Sequence, residues 1–383
     1  MTKLEGHILT SEGFIAGEIA VATHGPSRGR VIGISGVPVD EVVARNSTLP
    51  LILPGFIDLH VHGGGGRDIM EGGDAPALVA EMHARHGTTA LLATTMSAPP
   101  AELLMAFAAL APLCAGAGTT AVRGARVLGV HLEGPYINAA RLGAQPDFAR
   151  SVQLDELAQL NALAPIRLIT LAPEIPANMD AIQFLRAAGY RIQLGHTQGS
   201  YEDGVTALAR GAGGFTHMFN AMSGLHHRQP GMVGAALAHA RYAEIIPDLV
   251  HVHPGAILVA LRAIPCLYCV TDSTAATGMP DGEYRLGRQT VIKCLGGVRL
   301  ADGTLAGSTL TMIQALQNLV GELELDLIDA SRRVSTHAAD YLGANERGRL
   351  TPGAWADLVV LDRDLRLQDV FVEGVSIEHP HAG

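Results

Sequence analysis

The chain has 383 residues, of which 48 % are hydrophobic and only 17 % are charged. This length and composition indicate a compact α/β enzyme, built as one large barrel with an appendage or as two domains, and they exclude a disordered or fibrous chain. A formal net charge of −10 leaves no basic stripe for nucleic acid, and no apolar run has the length of a membrane span. We therefore expect neither nucleic acid nor a membrane as a partner.

Cysteine usage and the first residues of the chain bear on its compartment. The opening residues, MTKLEGHILTSEGF, lack the apolar region of a signal peptide. Cysteines are few and irregularly spaced, which is typical of reduced thiols in a reducing compartment. They are Cys114, Cys266, Cys269 and Cys294. We therefore predict a cytoplasmic protein.

Both ends of the sequence consist of short alternating segments that are split by glycine and polar turns, a pattern that predicts β-strands. Because chain termini often lie close together, the two ends can pair. We predict that residues 1–53 and 346–383 form one small β-sandwich domain, which clasps a barrel domain of residues 54–345.

The central part repeats one pattern: an apolar strand, a polar or glycine-rich loop, and then a helix rich in alanine and leucine. Eight such strands predict a (β/α)8 TIM-like barrel. A doubly wound open sheet is the alternative, but no G-x-G-x-x-G motif opens a helix after the first strand. The predicted strands are Phe56–His62, Thr89–Met96, Val127–Glu133, Arg167–Ala172, Arg191–His196, Gly214–Asn220, Ala243–His251 and Pro265–Asp272.

The first of these strands carries two histidines at its end, within LILPGFIDLHVHGGGGRD. Side chains alternate faces along a strand, so His60 and His62 point the same way and can bind one metal ion. Gly63–Gly66 then allow the backbone to turn sharply and to stay thin.

Polar side chains stand at the ends of most of the predicted strands, where the reacting groups of such barrels lie. Each one alone could be a cap or a satisfied core residue, but buried charge without a partner is costly, so a shared site explains the set better. The residues are His60 and His62 on the first strand, Glu133 on the third, His196 on the fifth, His217 on the sixth, His251 on the seventh and Asp272 on the eighth.

These residues predict a nitrogen- and oxygen-rich metal site. Glu133, His196 and His217 supply two imidazoles and a carboxylate, the ligand set of many catalytic zinc sites. A second ion could lie at His60 and His62. Glu133 would then bridge the two ions, because the other bridging ligand of such barrels, a carbamylated lysine, requires a lysine near a strand end, and this chain has none there. We expect one or two divalent ions, zinc first, although the same ligands accept iron, cobalt or manganese.

Asp272 is the predicted general base. A carboxylate beside a metal-bound water can take its proton as the water attacks a carbonyl carbon, and can then return that proton to the departing nitrogen. His251 is placed to add a hydrogen bond toward the substrate.

Seven motifs of the sequence are similar to those of one known family. Among them are PGFIDLHVHG (54–63), HLEGPYIN (131–138), GHT (195–197), THMFNAMSGLHHRQPG (216–231) and TDSTAATG (271–278). With them, the chain resembles the N-acetylglucosamine-6-phosphate deacetylases of the amidohydrolase superfamily. The resemblance implies hydrolysis of the acetamido group of N-acetylglucosamine 6-phosphate to glucosamine 6-phosphate and acetate. It also implies that Glu133, His196 and His217 bind metal and that Asp272 is the acid and base.

The same resemblance implies how a phosphorylated amino sugar would be held. Asn220, the backbone at Ala221, Arg228 and His251 are the implied contacts, some of them supplied by the neighbouring subunit of a homodimer. The basic loop around Arg228 fits this expectation, because a guanidinium presents a fork suited to phosphate.

Two departures from the family pattern leave alternatives open. Gln145 stands where the family usually has a histidine that touches the sugar, and His253 competes with His251 for the place near the substrate. A deacylase of another substrate, such as N-acetylgalactosamine 6-phosphate or an N-acyl amino acid, therefore remains an alternative. So does a metal-dependent isomerase or decarboxylase, because a barrel fold does not fix its chemistry.

Overall fold

Strands from both ends of the chain form one mixed sheet of seven strands in the computed structural model, which describes residues 1–116 and 123–377. Leu51–Pro54 joins the two ends, because it pairs in parallel with Thr2–Thr10 and antiparallel with Leu358–Leu361. In spatial order the strands are Val375–Ser376, Leu367–Val372, Leu358–Leu361, Leu51–Pro54, Thr2–Thr10, Gly13–Val21 and Val31–Val39. The two-layered sandwich and the boundaries of the two domains stay predictions, and residues 378–383 lie outside the described residues.

This terminal sheet buries apolar side chains on both of its faces. Ile8, Ile19 and Ile52 form a small core of their own, whereas their neighbours Leu9 and Leu51 point the other way and join the large core of the barrel. Strand residues alternate faces, so a continuous apolar run such as Ile8–Leu9 serves both cores. The sheet is therefore packed onto the barrel rather than tethered to it.

The central part of the chain is an α/β TIM-like barrel of eight parallel strands. Met218 N donates to Glu244 O over 2.9 Å between the sixth and seventh strands, and Asp272 N donates to His60 O over 3.0 Å between the eighth and the first. These bonds link the two hydrogen-bonded sheets into a closed ring. The barrel strands are Phe56–Val61, Thr88–Thr95, Arg126–Glu133, Ile166–Leu171, Arg191–Leu194 and Gly214–Phe215 in one sheet, with Tyr242–Ile245 and Cys266–Cys269 in the other.

Helices follow the strands, and their ends match local sequence signals. Ser200 and Asp203 form a capping box at the start of Tyr201–Ala209, and the His253 side chain accepts from Gly255 N at the start of Pro254–Ala263. The helices are Glu41–Asn46, Ala75–Ala84, Pro100–Cys114, Leu154–Leu163, Asn178–Ala187, Tyr201–Ala209, Gly231–His239, Pro254–Ala263, Met312–Gly321, Leu327–Val334 and Thr336–Leu342, with 3₁₀ turns at Ile69–Glu71 and Ala139–Arg141.

Four of the predicted barrel strands end clearly earlier in the structure than in the prediction. One of them is the fifth, which ends at Leu194, so that His196 lies beyond it. The sixth ends at Phe215, the seventh at Ile245 and the eighth at Cys269, so His217, His251 and Asp272 lie on the loops that follow. Strand-like apolar residues continue past each of these last three ends, but the backbone leaves the sheet. His217 and Asp272 have positive φ angles of 26° and 50°, which a strand residue cannot adopt.

The sequence analysis also missed an antiparallel sheet inserted after the eighth strand. It consists of Gly282–Leu286, Gln289–Cys294 and Gly297–Arg299. Its strands alternate exposed and half-buried residues, and polar side chains hide the pattern of a strand in such a segment. Leu286 of this sheet reaches the cavity at the barrel mouth. Within the described residues, no helix has both the length and the apolar character to span a membrane.

Candidate metal centre

Six predicted site residues converge at one mouth of the barrel. Each of them stands at or just beyond the carboxyl end of a different strand, with the exception of the two histidines that share the first strand, and all six are buried. Because parallel strands end on one rim, the fold brings these distant positions together. We call them the ligand cluster: His60, His62, Glu133, His196, His217 and Asp272.

The Glu133 carboxylate lies at the centre of the ligand cluster. Its Oε1 atom is 3.1 Å from His196 Nε2 and 3.0 Å from His217 Nε2, and the two imidazole nitrogens are 3.1 Å from each other. Its Oε2 atom is 3.1 Å from His62 Nε2. One carboxylate therefore faces both predicted ligand sets, which is the arrangement of a bridging ligand.

The histidines of the first strand and Asp272 form the other half of the ligand cluster. The Nε2 atoms of His60 and His62 lie 3.2 Å apart, as the alternation of strand side chains predicts. Asp272 Oδ1 is 3.4 Å from His60 Nε2 and 3.3 Å from His62 Nε2. Asp272 is therefore adjacent to the first-strand pair.

The protonation pattern of the imidazoles suits a cation. His60 Nδ1 lies 3.0 Å from Glu244 Oε2, and His196 Nδ1 lies 2.7 Å from the backbone oxygen of Arg141. Carboxylate and backbone oxygens accept these bonds, so Nδ1 donates in both histidines and Nε2 is the ring nitrogen that faces the cluster. Imidazole Nε2 atoms and two carboxylates that face one another at 3.0–3.4 Å require a shared positive charge, so the residues present fit a divalent metal ion.

The electrostatics of the ligand cluster agree with that fit. Burial alone would raise the pKa of Glu133, but the charges of His60 and His196 outweigh it and hold that pKa well below its usual value. Burial likewise opposes ionisation of Asp272, yet His60 and His62 lower its pKa to about 2. Conversely, burial lowers the pKa of His62, but Asp272 and Glu133 raise it to about 9. In the absence of an ion the carboxylates are therefore ionised and protons on the imidazoles balance them; a bound divalent ion would take the place of those protons.

Three residues of the ligand cluster sit in strained backbone conformations. His196, His217 and Asp272 have φ angles of 47°, 26° and 50°. Non-glycine residues in this region cost about 1–3 kcal/mol each and persist where the surrounding structure holds them. Asn138 N holds the backbone oxygen of His196 at 2.9 Å, and comparable bonds hold the other two. These backbone conformations direct the three side chains into the ligand cluster, whereas a regular strand would not bring them together.

Gly63 keeps the backbone beside His62 thin. A Cβ atom at this position would lie 2.5 Å from Arg67 O and 2.6 Å from Ala275 N, closer than any real side chain comes to backbone atoms. The glycine run thus lets the loop after the first strand pack against the loop after Asp272.

A cavity of about 330 Å³ opens over the ligand cluster. His251 lies in its lining and His253 does not, since His253 caps a helix instead. Arg228 is exposed on its loop and does not belong to the lining of the cavity of its own chain. Besides five members of the cluster, the lining consists of Met96, Ala140, Arg141, Gly143, Ala144, Gln145, Asn220, Ala221, His251, Leu286, Thr304, Leu305 and Gly307. Nine of the ten predicted site residues therefore meet at this mouth, and Arg228 stands apart.

Sequence reasoning missed residues that contact the ligand cluster. Gln145 was noted only as a departure, yet its Nε2 donates to Glu133 Oε2 over 2.7 Å while its Oε1 accepts from Ser97 N over 2.7 Å. Arg141 is the one guanidinium in the described lining of the cavity. Glu244 faces His60 from the seventh strand. A single acid in the apolar segment Tyr-Ala-Glu-Ile-Ile is the signal that could have revealed Glu244.

Comparison with known proteins gives matches along nearly the whole chain. The model of the Amidohydrolase family matches residues 51–377. The N-acetylgalactosamine-6-phosphate deacetylase of Escherichia coli O157:H7 is 38 % identical over 377 residues, which is 96 % of this chain and 96 % of that protein. The N-acetylglucosamine-6-phosphate deacetylase of Vibrio furnissii is 39 % identical over 330 residues, 84 % of this chain and 82 % of that protein.

A solved structure matches equally well. It is a mutant of the N-acetyl-D-glucosamine-6-phosphate deacetylase of Mycobacterium smegmatis in complex with N-acetyl-D-glucosamine-6-phosphate. Its TM-score with this chain is 0.87 at 31 % sequence identity, and the match covers 98 % of each chain. The similarity therefore extends through the barrel and the terminal sheet together.

Proposed function

The chain belongs to the amidohydrolase family, and from this premise we propose that the protein hydrolyses the acetamido group of N-acetylglucosamine 6-phosphate to glucosamine 6-phosphate and acetate. One observation carries the proposal: Glu133 faces both histidine pairs at the barrel mouth, and Asp272 stands 3.3–3.4 Å from the first-strand pair. Such a cluster serves hydrolysis of an amide better than isomerisation or decarboxylation, because a base beside a cation site suits attack by water.

His60, His62, Glu133, His196 and His217 are the residues that would hold the metal. A divalent ion held there polarises a carbonyl oxygen and lowers the pKa of water. Asp272 is ionised, since its pKa is lowered to about 2, so it accepts the proton of the attacking water. It then gives that proton to the amide nitrogen as the C–N bond breaks, and the amine and acetate leave.

The sugar phosphate would lie in the cavity above the cluster. Asn220, the backbone at Ala221 and His251 line that cavity and are the proposed contacts within the chain. His251 is fitted for an anion, because Asp248 Oδ2 lies 2.6 Å from its Nδ1 and, against the effect of burial, helps to raise its pKa. We propose that the exposed Arg228 reaches the cavity of a second copy in a homodimer.

Zinc is the ion we propose, in one or two sites, because two imidazoles and a carboxylate are its common catalytic ligands. Iron, cobalt or manganese would fit the same atoms. We also propose a cytoplasmic location. All four cysteines are free thiols, which agrees with a reducing compartment.

N-acetylgalactosamine 6-phosphate is the second candidate substrate. The relative that matches 96 % of this chain bears that activity in its name, and Gln145 replaces the histidine that the family usually brings to the sugar. Both sugars carry the same acetamido group and phosphate, so the catalytic residues are the same in either case. The difference lies in how the cavity receives one hydroxyl group.

Acetate release tests the proposal. The metal-loaded protein should release acetate from N-acetylglucosamine 6-phosphate with a higher kcat/KM than from the galactosamine epimer, from unphosphorylated N-acetylglucosamine or from an N-acetyl amino acid. A higher kcat/KM for N-acetylgalactosamine 6-phosphate would show that the second candidate is the substrate. Absence of acetate from all four substrates would overturn the proposal.

Arg228→Ala tests the phosphate contact and the homodimer together. The KM for the phosphorylated sugar should rise about tenfold or more, because a charge-assisted bond to phosphate contributes about 1.5–3 kcal/mol. The KM for the unphosphorylated sugar should stay unchanged. If Arg141→Gln rather than Arg228→Ala raises the KM, the phosphate is held by the guanidinium of the same chain, and the cross-subunit contact is wrong.

A further inference from the structure

Glu244 lies beneath the ligand cluster, on the seventh barrel strand Tyr242–Ile245, and none of its surface is exposed. Its Oε2 atom accepts two hydrogen bonds. One comes from His60 Nδ1 over 3.0 Å, and the other comes from the backbone N–H of His217 over 3.1 Å. One buried carboxylate therefore contacts one predicted ligand from each half of the cluster.

We propose that Glu244 is a positioning residue for the metal centre: it fixes the tautomer of His60 and the backbone of His217, and so couples the two halves of the ligand cluster. This inference rests on the proposed function, since it assumes that the cluster binds an ion. It concerns a residue that lies outside the lining of the cavity and outside the predicted ligands.

The bond to His60 sets which ring nitrogen can bind metal. The Oε2 atom of Glu244 accepts from His60 Nδ1, so the proton of that bond lies on Nδ1 and Nε2 is the ring nitrogen that can bind metal. The other cluster imidazoles lack this support. His196 Nδ1 donates to a neutral backbone oxygen, and the Nδ1 atoms of His62 and His217 have no hydrogen-bond partner among the described residues. Glu244 thus makes His60 a stronger electron donor than its neighbours.

The bond to His217 holds a strained turn. His217 has a φ angle of 26°, where a residue with a side chain is unstable without support. Glu244 supports this turn twice, because its carboxylate accepts from His217 N and its backbone oxygen accepts from Met218 N over 2.9 Å. The ring of His217 therefore reaches Glu133 from a backbone that the seventh strand fixes.

The surroundings of Glu244 supply no fixed positive charge. Its other oxygen, Oε1, accepts from Tyr268 OH over 3.4 Å, and Gln193 Nε2 in turn donates to that hydroxyl over 2.5 Å. Within the described residues no arginine or lysine pairs with Glu244, and His60 is its one hydrogen-bond partner that can carry a positive charge. A buried carboxylate without compensation is costly, so the His60 ring and a cation bound beyond it are the groups that would balance Glu244.

Two variants separate charge from shape. Glu244→Gln keeps an oxygen that can accept from His60 and His217 but removes the charge, and Glu244→Leu removes both. Asp357→Asn is the matched control, since Asp357 is a buried carboxylate of the terminal region that contacts no member of the ligand cluster. Each variant is stripped with a chelator, and the stoichiometry and the affinity for Zn²⁺ are measured by competition with a chromophoric chelator.

We expect Glu244→Gln to weaken Zn²⁺ binding about 10- to 100-fold at unchanged thermal stability, as the loss of a partner of a metal-binding histidine does. Glu244→Leu should weaken it further and lower the number of ions bound, whereas Asp357→Asn should bind as the wild type does. Wild-type affinity in Glu244→Gln overturns the inference, even if Glu244→Leu fails to fold. A wild-type protein that binds no ion would instead contradict the proposed function itself.

Discussion

Two clusters of buried ionisable side chains differ in what balances their charge. At the junction of the barrel and the terminal sheet, Arg347 pairs with Asp357 and Glu373, and Arg126 pairs with Glu373 over 2.8 Å. Guanidinium groups carry their charge at every physiological pH, so this junction cluster is complete within the chain. The ligand cluster at the mouth has no arginine or lysine among its members. Its imidazole Nε2 atoms face its carboxylates, so its positive charge has to come from protons or from an added metal ion.

This difference shows why buried charge alone does not identify a functional site. Both clusters are largely buried, and both hold carboxylates whose pKa is displaced, as at Glu373, where burial raises the pKa but Arg126 and Arg347 lower it further. What separates them is whether the positive partner belongs to the protein. The junction cluster should therefore govern stability, and the ligand cluster should govern ion binding and turnover.

His196→Ala should have the largest effect on turnover. It removes a proposed ligand of the ion, so the bound metal per chain should fall. The rate of acetate release should fall with it, by more than the ~10²- to 10⁴-fold that loss of a general base costs. Elemental analysis and an acetate assay on the same preparation measure both. His239→Ala, at an exposed histidine outside the cluster, should change neither. Unchanged metal content in His196→Ala would exclude this residue as a ligand.

Asp272→Asn should separate chemistry from ion binding inside the ligand cluster. The amide keeps the size of the side chain but cannot accept the proton, so kcat should fall about 10²- to 10⁴-fold while the bound metal stays the same. Single-turnover assays with elemental analysis check this. Near-normal turnover would refute the proposed acid and base.

Glu373→Ala should act on the other cluster and give the reverse result. It leaves Arg126 and part of Arg347 buried without a counter-charge, so the free energy of unfolding should fall by about 3–5 kcal/mol. Acetate release per folded molecule should not change. Glu346→Ala is the matched control, because Glu346 is 63 % exposed in its pair with Arg30, and it should cost about 0–1 kcal/mol. Equal effects of the two variants on unfolding by urea would contradict the distinction.

His337→Gln tests a third case, a half-buried group with neither an ion nor a sufficient counter-charge. Burial, with Arg333 nearby, lowers the pKa of His337 to about 4. The unfolded chain takes up this proton from about pH 6.5 downward while the folded chain resists it, so the wild type loses stability between about pH 6.5 and pH 4. Between pH 7 and pH 5, the variant should lose about 1–2 kcal/mol less than the wild type. The exposed His24, changed to Gln, should give no such difference.

Much of the fold was predictable from sequence because its signals are local or periodic. Alternating apolar strands and alanine-rich helices predicted the barrel, and His60 and His62 share a face because the period of a strand is two. The strand ends were less predictable. Apolar residues continue past Phe215, Ile245 and Cys269, and only tertiary contacts decide that the backbone turns away there.

Site residues with a strand-end motif were found, whereas those defined by distant contacts were not. Glu133 and His217 belong to distinctive motifs, so their proximity followed once the barrel was assumed. Glu244 and Gln145 act through hydrogen bonds to residues 184 and 12 positions away, and no spacing encodes such a contact. Arg228 illustrates the converse limit, because its motif predicted a phosphate contact, yet its side chain is exposed and lies outside the lining of the cavity.

Titration of the metal-free protein is the most direct test of the central claim, that the ligand cluster holds a divalent ion which the deacetylation needs. Protein stripped with a chelator is supplied with Zn²⁺ in steps, and bound ion per chain and acetate release from N-acetylglucosamine 6-phosphate are measured at each step. We predict no acetate from the stripped protein and a rise in acetate release that follows the occupancy of the cluster until one or two ions are bound. Full acetate release from protein that holds no ion would contradict the account.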